Sequence, residues 1–377
     1  MGLVNFMPRF LYFKFRFFVK LPSDYDQSLS MKHKIQIFQA LWIALFLFLF
    51  FLAFHLPLYN YLAAYGDMGE YLNNPLRVLN GELPYRDFWL LFPPGEVYLP
   101  AALYKIFGLN VNVVLVSLAV ANALIGVAAF VLGWTIFRNN WWGILTGLLV
   151  GLNGVMSVYV LFLLIASVFF VKYLEKKNFK SIVLTGIFIG FAFYFRIFEV
   201  GAACVAFGLV FVVEAIHGKM PFKKFCKFSG AFVGSVVLTG FIIYLPLFQV
   251  WPVMFKQIIF ETFDHGTSMN LPYFHEVGEF YKLFKIELRG WLAANGSGDL
   301  MMVLYCFGNL VRAGFLYLLP FLISIASLGL IFNSKIRHFE KILISFFILW
   351  GVTAFLKALG RSDMAHLVHS VTPFVIL

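Results

Sequence analysis

Apolar runs of about 17–25 residues recur along this chain, and that length matches the hydrocarbon thickness of a bilayer rather than the core of a soluble domain. They read as spans near 35–56, 111–137, 141–158, 159–174, 181–196, 198–215, 229–248, 302–332, 342–358 and 366–377. Hydrophobic residues make up 62% of the 377 and charged residues only 12%, with a mean hydropathy of +0.87. The runs are continuous and lack the alternation of an outer-membrane barrel, so helices are expected rather than strands. The fold class that follows is an all-α polytopic membrane protein, a bundle of about 10 or more transmembrane helices with short amphipathic helices in its first outer loop.

The formal charge of +11 does not point to nucleic acid once its placement is considered. With the N-terminus inside, segments 1–34, 138, 172–180, 214–228 and 333–341 hold 18 of the 29 Lys and Arg but only 5 of the 18 acids. Positive charge collected on short inner loops is a topology signal, and it favours contact with anionic lipid. The expected location is the plasma (inner) membrane, multi-pass, with the N-terminus cytoplasmic.

Two regions are expected. Residues 1–34 form a basic aromatic N-terminal segment (PRFLYFKFRFFVK), either an interfacial helix or residues upstream of a start at Met31. Residues 35–377 form the transmembrane domain, with outer loops 57–110 and 249–299. The chain ends inside an apolar run, which fits either a short last helix or a truncated sequence. Three scattered cysteines, Cys204, Cys226 and Cys306, suggest neither a disulfide framework nor a zinc site.

The first outer loop draws the most attention. From Gly66 to Gly108 it carries five carboxylates, Asp67, Glu70, Glu82, Asp87 and Glu96, and acids beside membrane helices cost free energy unless they meet water, a partner or a substrate. A helix over this stretch would bring Asp67, Glu70 and Asn74 to one face, with Pro75 interrupting or kinking it. Such a pair of carboxylates can divide acid and base work, and it can equally be an ordinary solvated surface. Arg86 and Asp87 lie further along the loop as candidate substrate-binding residues. Pro93 and Pro94 should end the loop and restart a helix at Gly95, which puts Glu96 in the first turn, where it either complements the dipole or lines a site.

Charge also interrupts apolar sequence further on. Arg196 and Glu199, in AFYFRIFEVGA, are three apart and either pair with each other or serve a site. LGRSDMAHLVHS places Arg361, Asp363, His366 and His369 at another outer boundary. An Asp-His-His metal set is conceivable there, but no HExxH pattern accompanies it, so no metal or other cofactor is expected. Arg196, Arg361 and His366 on the side of the acidic loop would suit a phosphate, since guanidinium donates a fork to its oxygens. There is no GxxxxGK[ST] loop for a nucleotide and no serine nucleophile elbow.

The order GDMGEY, then NGELPYRDFW, then FPPGEVYLPAALYKIFG resembles the first extracytoplasmic loop of GT-C glycosyltransferases, the superfamily that includes protein O-mannosyltransferases and the aminoarabinose transferases of lipid A. FRIFEVG and GRSDMAHL are similar to elements of bacterial family 39-like members. Asp67 falls on the first acid of the family's acidic pair, while Met68 stands where Glu often follows. Pro93 and Pro94 match its paired prolines, with Phe92 in place of a basic residue.

The resemblance implies a GT-C-like bundle that transfers a sugar from a polyprenyl-phosphate donor to a glycan, lipid or protein acceptor on the extracytoplasmic face, with inversion and without metal. Asp67 would be the base, with Glu70 beside it. Arg361 or Arg196, with His366, would stabilise the departing phosphate. A lipid-linked sugar transporter would instead spread charge through the midplane, and a polysaccharide polymerase or ligase would have arginine-rich outer loops.

Overall fold

The computed structural model describes residues 31–62, 68–152, 157–261, 273–294, 296, 298–334, 336–360 and 364–377. Among these the chain is helical, and the one non-helical pairing is an isolated bridge between Pro84 and Phe88. The helices are α1 (Met31–Leu62), α2 (Met68–Leu79), α3 (Gly95–Phe107), α4 (Val111–Phe137), α5 (Asn140–Gly151), α6 (Val158–Lys176), α7 (Phe179–Phe193), α8 (Phe198–His217), α9 (Phe222–Tyr244), α10 (Trp251–Phe255), α11 (His275–Ala293), α12 (Leu300–Phe332), α13 (His338–Gly360) and α14 (Met364–Ile376). A 3-10 turn (Leu245–Val250) links α9 to α10, and a π segment (Lys256–Glu261) follows.

Among the described residues, seven stretches are long and apolar enough to cross a bilayer: Gln36–Pro57, Val111–Phe137, Val158–Lys176, Phe198–His217, Phe222–Glu261, Leu300–Phe332 and His338–Leu356. The chain is a multi-pass membrane protein. The remaining expected spans correspond to shorter helices. The run read as 141–158 is interrupted after Gly151, because α5 stops there and α6 begins only at Val158.

Several helix starts are written locally. Asn110, Asn139 and Asn178 each accept the amide two residues on, and Asp299 accepts that of Met302, which satisfies donors that have no partner inside the helix.

The chain divides into two packed units, one ending at Phe46 and one running from Leu47 to Leu377. Within the second, helices meet through small residues, as expected where lipid is as apolar as leucine and close packing must supply the attraction. The ring of Phe51, fully buried, lies against both Gly126 of α4 and Gly151 of α5, where an added Cβ would come within 2.3 Å and 2.5 Å of it. Gly143 and Gly147 of α5 press on Phe130 of α4, and Gly186 and Gly190 of α7 face Ser235 and Thr239 of α9. An aromatic column fills the space between α6, α8 and α13: Phe170 packs on Phe207 at 5.0 Å, Phe207 on Phe346 at 4.7 Å, and Phe346 on Trp350 at 6.0 Å.

Side-chain contacts mark two ends of this bundle. At one, Arg138 pairs with Glu175 at 2.6 Å, Lys177 pairs with Glu214, and His338 reaches the same Glu214 at 3.4 Å while stacking on His217. At the other, the start of α3 and the turn between α7 and α8 come together.

Candidate functional site

The loop between α2 and α3 is a built structure. Arg77 bonds the Glu82 carboxylate through Nε at 2.7 Å and the Asp87 carbonyl through Nη2 at 2.9 Å, and its guanidinium covers the Phe88 ring at 4.5 Å. Asp87 turns inward on the same loop. Its Oδ2 accepts the Leu83 amide at 2.7 Å, and both oxygens accept from Arg86, at 2.9 Å and 2.8 Å. The bonds from Arg86, then the Leu83 amide, hold the Asp87 carboxyl down at about 2. Arg86, Asp87 and Glu82 are thus engaged in shaping the loop.

A small apolar cluster then fixes the loop to the stem after α9. Tyr85, Phe88, Leu90 and Val97 pack against Leu247, Val250, Met254 and Ile258. Gln257 joins the two backbones, accepting from the Leu90 amide at 3.2 Å and donating to the Tyr85 carbonyl at 3.3 Å. Trp89 donates to Glu261 at 2.7 Å, and Tyr85 Oη donates to the Phe92 carbonyl at 2.8 Å.

Pro93 and Pro94 lead into α3 at Gly95, whose amide donates to the Tyr194 carbonyl at 2.8 Å. Glu96 follows, and across the junction Arg196 Nη2 lies 3.5 Å from Glu96 Oε1, with the two side chains only 16% and 14% exposed. The same Nη2 donates to Tyr71 Oη at 3.3 Å, the guanidinium carbon sits 4.2 Å above the Phe92 ring, and Tyr71 stacks on Phe92 at 6.4 Å. Glu199 lies close enough to act electrostatically on both members of the pair. Glu96 Oε1 and Arg196 Nη1 are buried and make no hydrogen bond among the described residues.

Burial pushes the Glu96 carboxyl upward, opposed by Arg196 and reinforced by Glu199. Burial also works against the Arg196 charge, but Glu96, then Tyr71 and Glu199, outweigh it and raise that group further. The outcome is a cation held by Glu96, Tyr71 and Phe92, with one N–H edge that meets no acceptor among the described residues, beside a carboxyl whose proton affinity burial raises. Such an arrangement can donate to an oxyanion and can exchange a proton.

Of the residues singled out by sequence, Glu96, Arg196 and Glu199 come together here. Glu70 lies exposed on α2, one residue before Tyr71. Asp67, Arg361 and Asp363 lie outside the described residues, and for His366 only its place in α14 is described. Sequence reasoning missed Tyr71 and Phe92, which clamp Arg196 from 125 and 104 positions away. A phenol and a ring in an aromatic-rich chain carry no distinguishing spacing. No protein-family model, no curated protein and no solved structure matches this chain.

Proposed function

We propose that this protein is a GT-C-like integral-membrane glycosyltransferase that moves a sugar from a polyprenyl-phosphate carrier to an acceptor hydroxyl at the extracytoplasmic face. The observation that carries the reading is the Arg196 guanidinium, buried beside the acid-bearing loop with Nη1 meeting no acceptor among the described residues. The order of loop motifs and the basic bias of the opposite loops support it.

In the proposed reaction Asp67 takes the proton of the acceptor hydroxyl as its oxygen attacks the sugar C1. The C1–O bond to the carrier breaks with inversion, and its electron pair leaves on the phosphate oxygen. Arg196, joined by Arg361 and His366, stabilises that charge through bidentate, charge-assisted bonds. Glu70 supports Asp67. Glu96, whose carboxyl burial pushes upward, holds Arg196 in place beside the phosphate. The donor is already activated as a phosphate ester, so neither nucleotide nor metal takes part.

Reconstituted protein given radiolabelled polyprenyl-phosphate sugar tests the proposal. Transfer by wild type, loss of about a hundredfold or more in Asp67→Asn and a comparable loss in Arg196→Gln are expected. Full transfer by Asp67→Asn overturns the base assignment, and absence of transfer by wild type across a panel of donors and acceptors overturns the reaction class.

A further inference from the structure

At the end of the bundle away from Arg196, the described acids are spent. Among the described residues of 138, 172–180, 214–228 and 333–341, Glu175 is taken by Arg138, Glu214 by Lys177 and His338, and Glu340 by Arg337 at 2.5 Å. The first turns of α9, FKKFCKF, then present Lys223, Lys224 and Lys227 within one 100° face. All three are exposed and none has a carboxylate partner among the described residues. This is an unfavourable place for them, because the helix dipole repels cations at its N-terminus.

Aromatic rings surround these cations. Phe222 is 80% exposed. Lys227 Nζ sits 5.0 Å over the ring of Phe179, which meets Phe228 edge to face, and Lys224 Nζ sits 5.7 Å from the Phe228 ring. Lys180 and Lys219 add charge on the adjoining turns, and Ile216, three residues before Lys219, is exposed. Cations with apolar stems, set among exposed rings at the end of membrane helices, match a layer in which acyl chains give way to phosphate.

We infer that the Lys223–Lys224–Lys227 face is a binding site for anionic phospholipid. The lysines hold the headgroup phosphate and Phe222 lies among the acyl chains. Charge complementarity selects this occupant: a surplus of cations with no acid left to meet them among the described residues, on a surface that is also apolar. The inference depends on the protein being in a membrane and not on the reaction it catalyses.

The full chain in neutral detergent, titrated with phosphatidylglycerol or phosphatidylcholine and read by native mass spectrometry, tests this. Each lysine at an anionic surface is worth about fivefold in affinity. Wild type should favour phosphatidylglycerol at least tenfold, with the preference eroded by about 0.5 M salt. Lys223→Gln/Lys224→Gln/Lys227→Gln should bring the two lipids within about twofold of each other. The triple Lys→Arg variant should keep the preference, and Lys227→Gln alone should lose several-fold, which serves if the triple variant does not fold. Unchanged selectivity in the Gln variants overturns the site. Equal displacement of the lipid by millimolar inorganic phosphate or by an acidic peptide overturns the lipid as its occupant.

Discussion

The Gly95 amide donates to the Tyr194 carbonyl across 2.8 Å, and this bond seats the start of α3 against the turn that carries Arg196. A Cβ built at Gly95 would stand 2.5 Å from that carbonyl oxygen and 2.8 Å from the Tyr194 ring. Gly95→Ala should cost about 1–3 kcal/mol as overpacking. Gly201→Ala, where nothing lies within 4 Å of the added methyl, should be neutral or stabilising. Thermal unfolding in detergent compares them, and equal behaviour of the two would refute the close approach.

Removing Arg196 should leave Glu96 buried without its cation. For buried pairs that loss is about 3–5 kcal/mol, and the 3.5 Å separation puts Arg196→Met near the low end, about 3 kcal/mol. Glu96→Gln with Arg196→Met should cost less than the two single changes added together. A double-mutant cycle of unfolding free energies measures this, and strict additivity would dissolve the pair.

Glu96 and Asp87 give stability opposite dependences on pH. Burial raises Glu96 above its ordinary 4.5, so its contribution is complete below that value and is lost as pH climbs through the raised native one. Asp87, held at about 2 against an ordinary 3.8 by its bonds to Arg86 and the Leu83 amide, contributes above 3.8 and loses that contribution as pH falls toward 2. Unfolding temperature should therefore flatten on its neutral side in Glu96→Gln and on its acid side in Asp87→Asn. Profiles parallel to wild type in either window would contradict the corresponding shift.

Gln257 satisfies two backbone groups of the loop at once. Gln257→Leu keeps the volume but orphans the Leu90 N–H and the Tyr85 carbonyl, at about 1–3 kcal/mol each. Hydrogen exchange at Leu90 should accelerate by two orders of magnitude or more while amides of α6 keep their protection. Unaltered exchange at Leu90 would mean that the stem does not hold the loop.

Phe51 should be the most costly truncation in the α1, α4 and α5 contact. Its ring is fully buried between two glycines, so Phe51→Ala should cost about 3–5 kcal/mol. Gly126→Ala, overpacked in wild type, should be better tolerated in that background than alone. Chemical unfolding of the four variants decides it.

The long helices were legible because hydrocarbon thickness sets a length that composition reveals directly, as in Val111–Phe137 and Leu300–Phe332. The return of the loop at Gly95 was equally readable, since paired prolines constrain the backbone wherever they stand. Partnership was not. Spacing offered Glu199 to Arg196, and Glu199 does act electrostatically on it, but spacing gave no sign of Glu96, since α7 ends at Phe193 and α8 begins at Phe198. The chain turns between them, and Arg196 meets Glu96 from a helix 100 positions earlier. Asp87 was likewise indistinguishable from a substrate ligand, because its role depends on the Leu83 amide curling back over four residues, a matter of turn geometry and not of residue type.

The stem after α9 changes winding twice, overwound through Leu245–Val250 and underwound through Lys256–Glu261. The tight stretch advances each side chain further around the axis than an α-helix does, and the loose stretch holds it back. Leu247, Val250, Met254 and Ile258, spaced three, four and four across these stretches, all pack in the cluster that holds the loop. The stem therefore works as a phase lock. Adding or deleting one residue within it would rotate everything beyond by about 100°, carrying Gln257 and Glu261 off the loop together while leaving the apolar character of the segment unchanged.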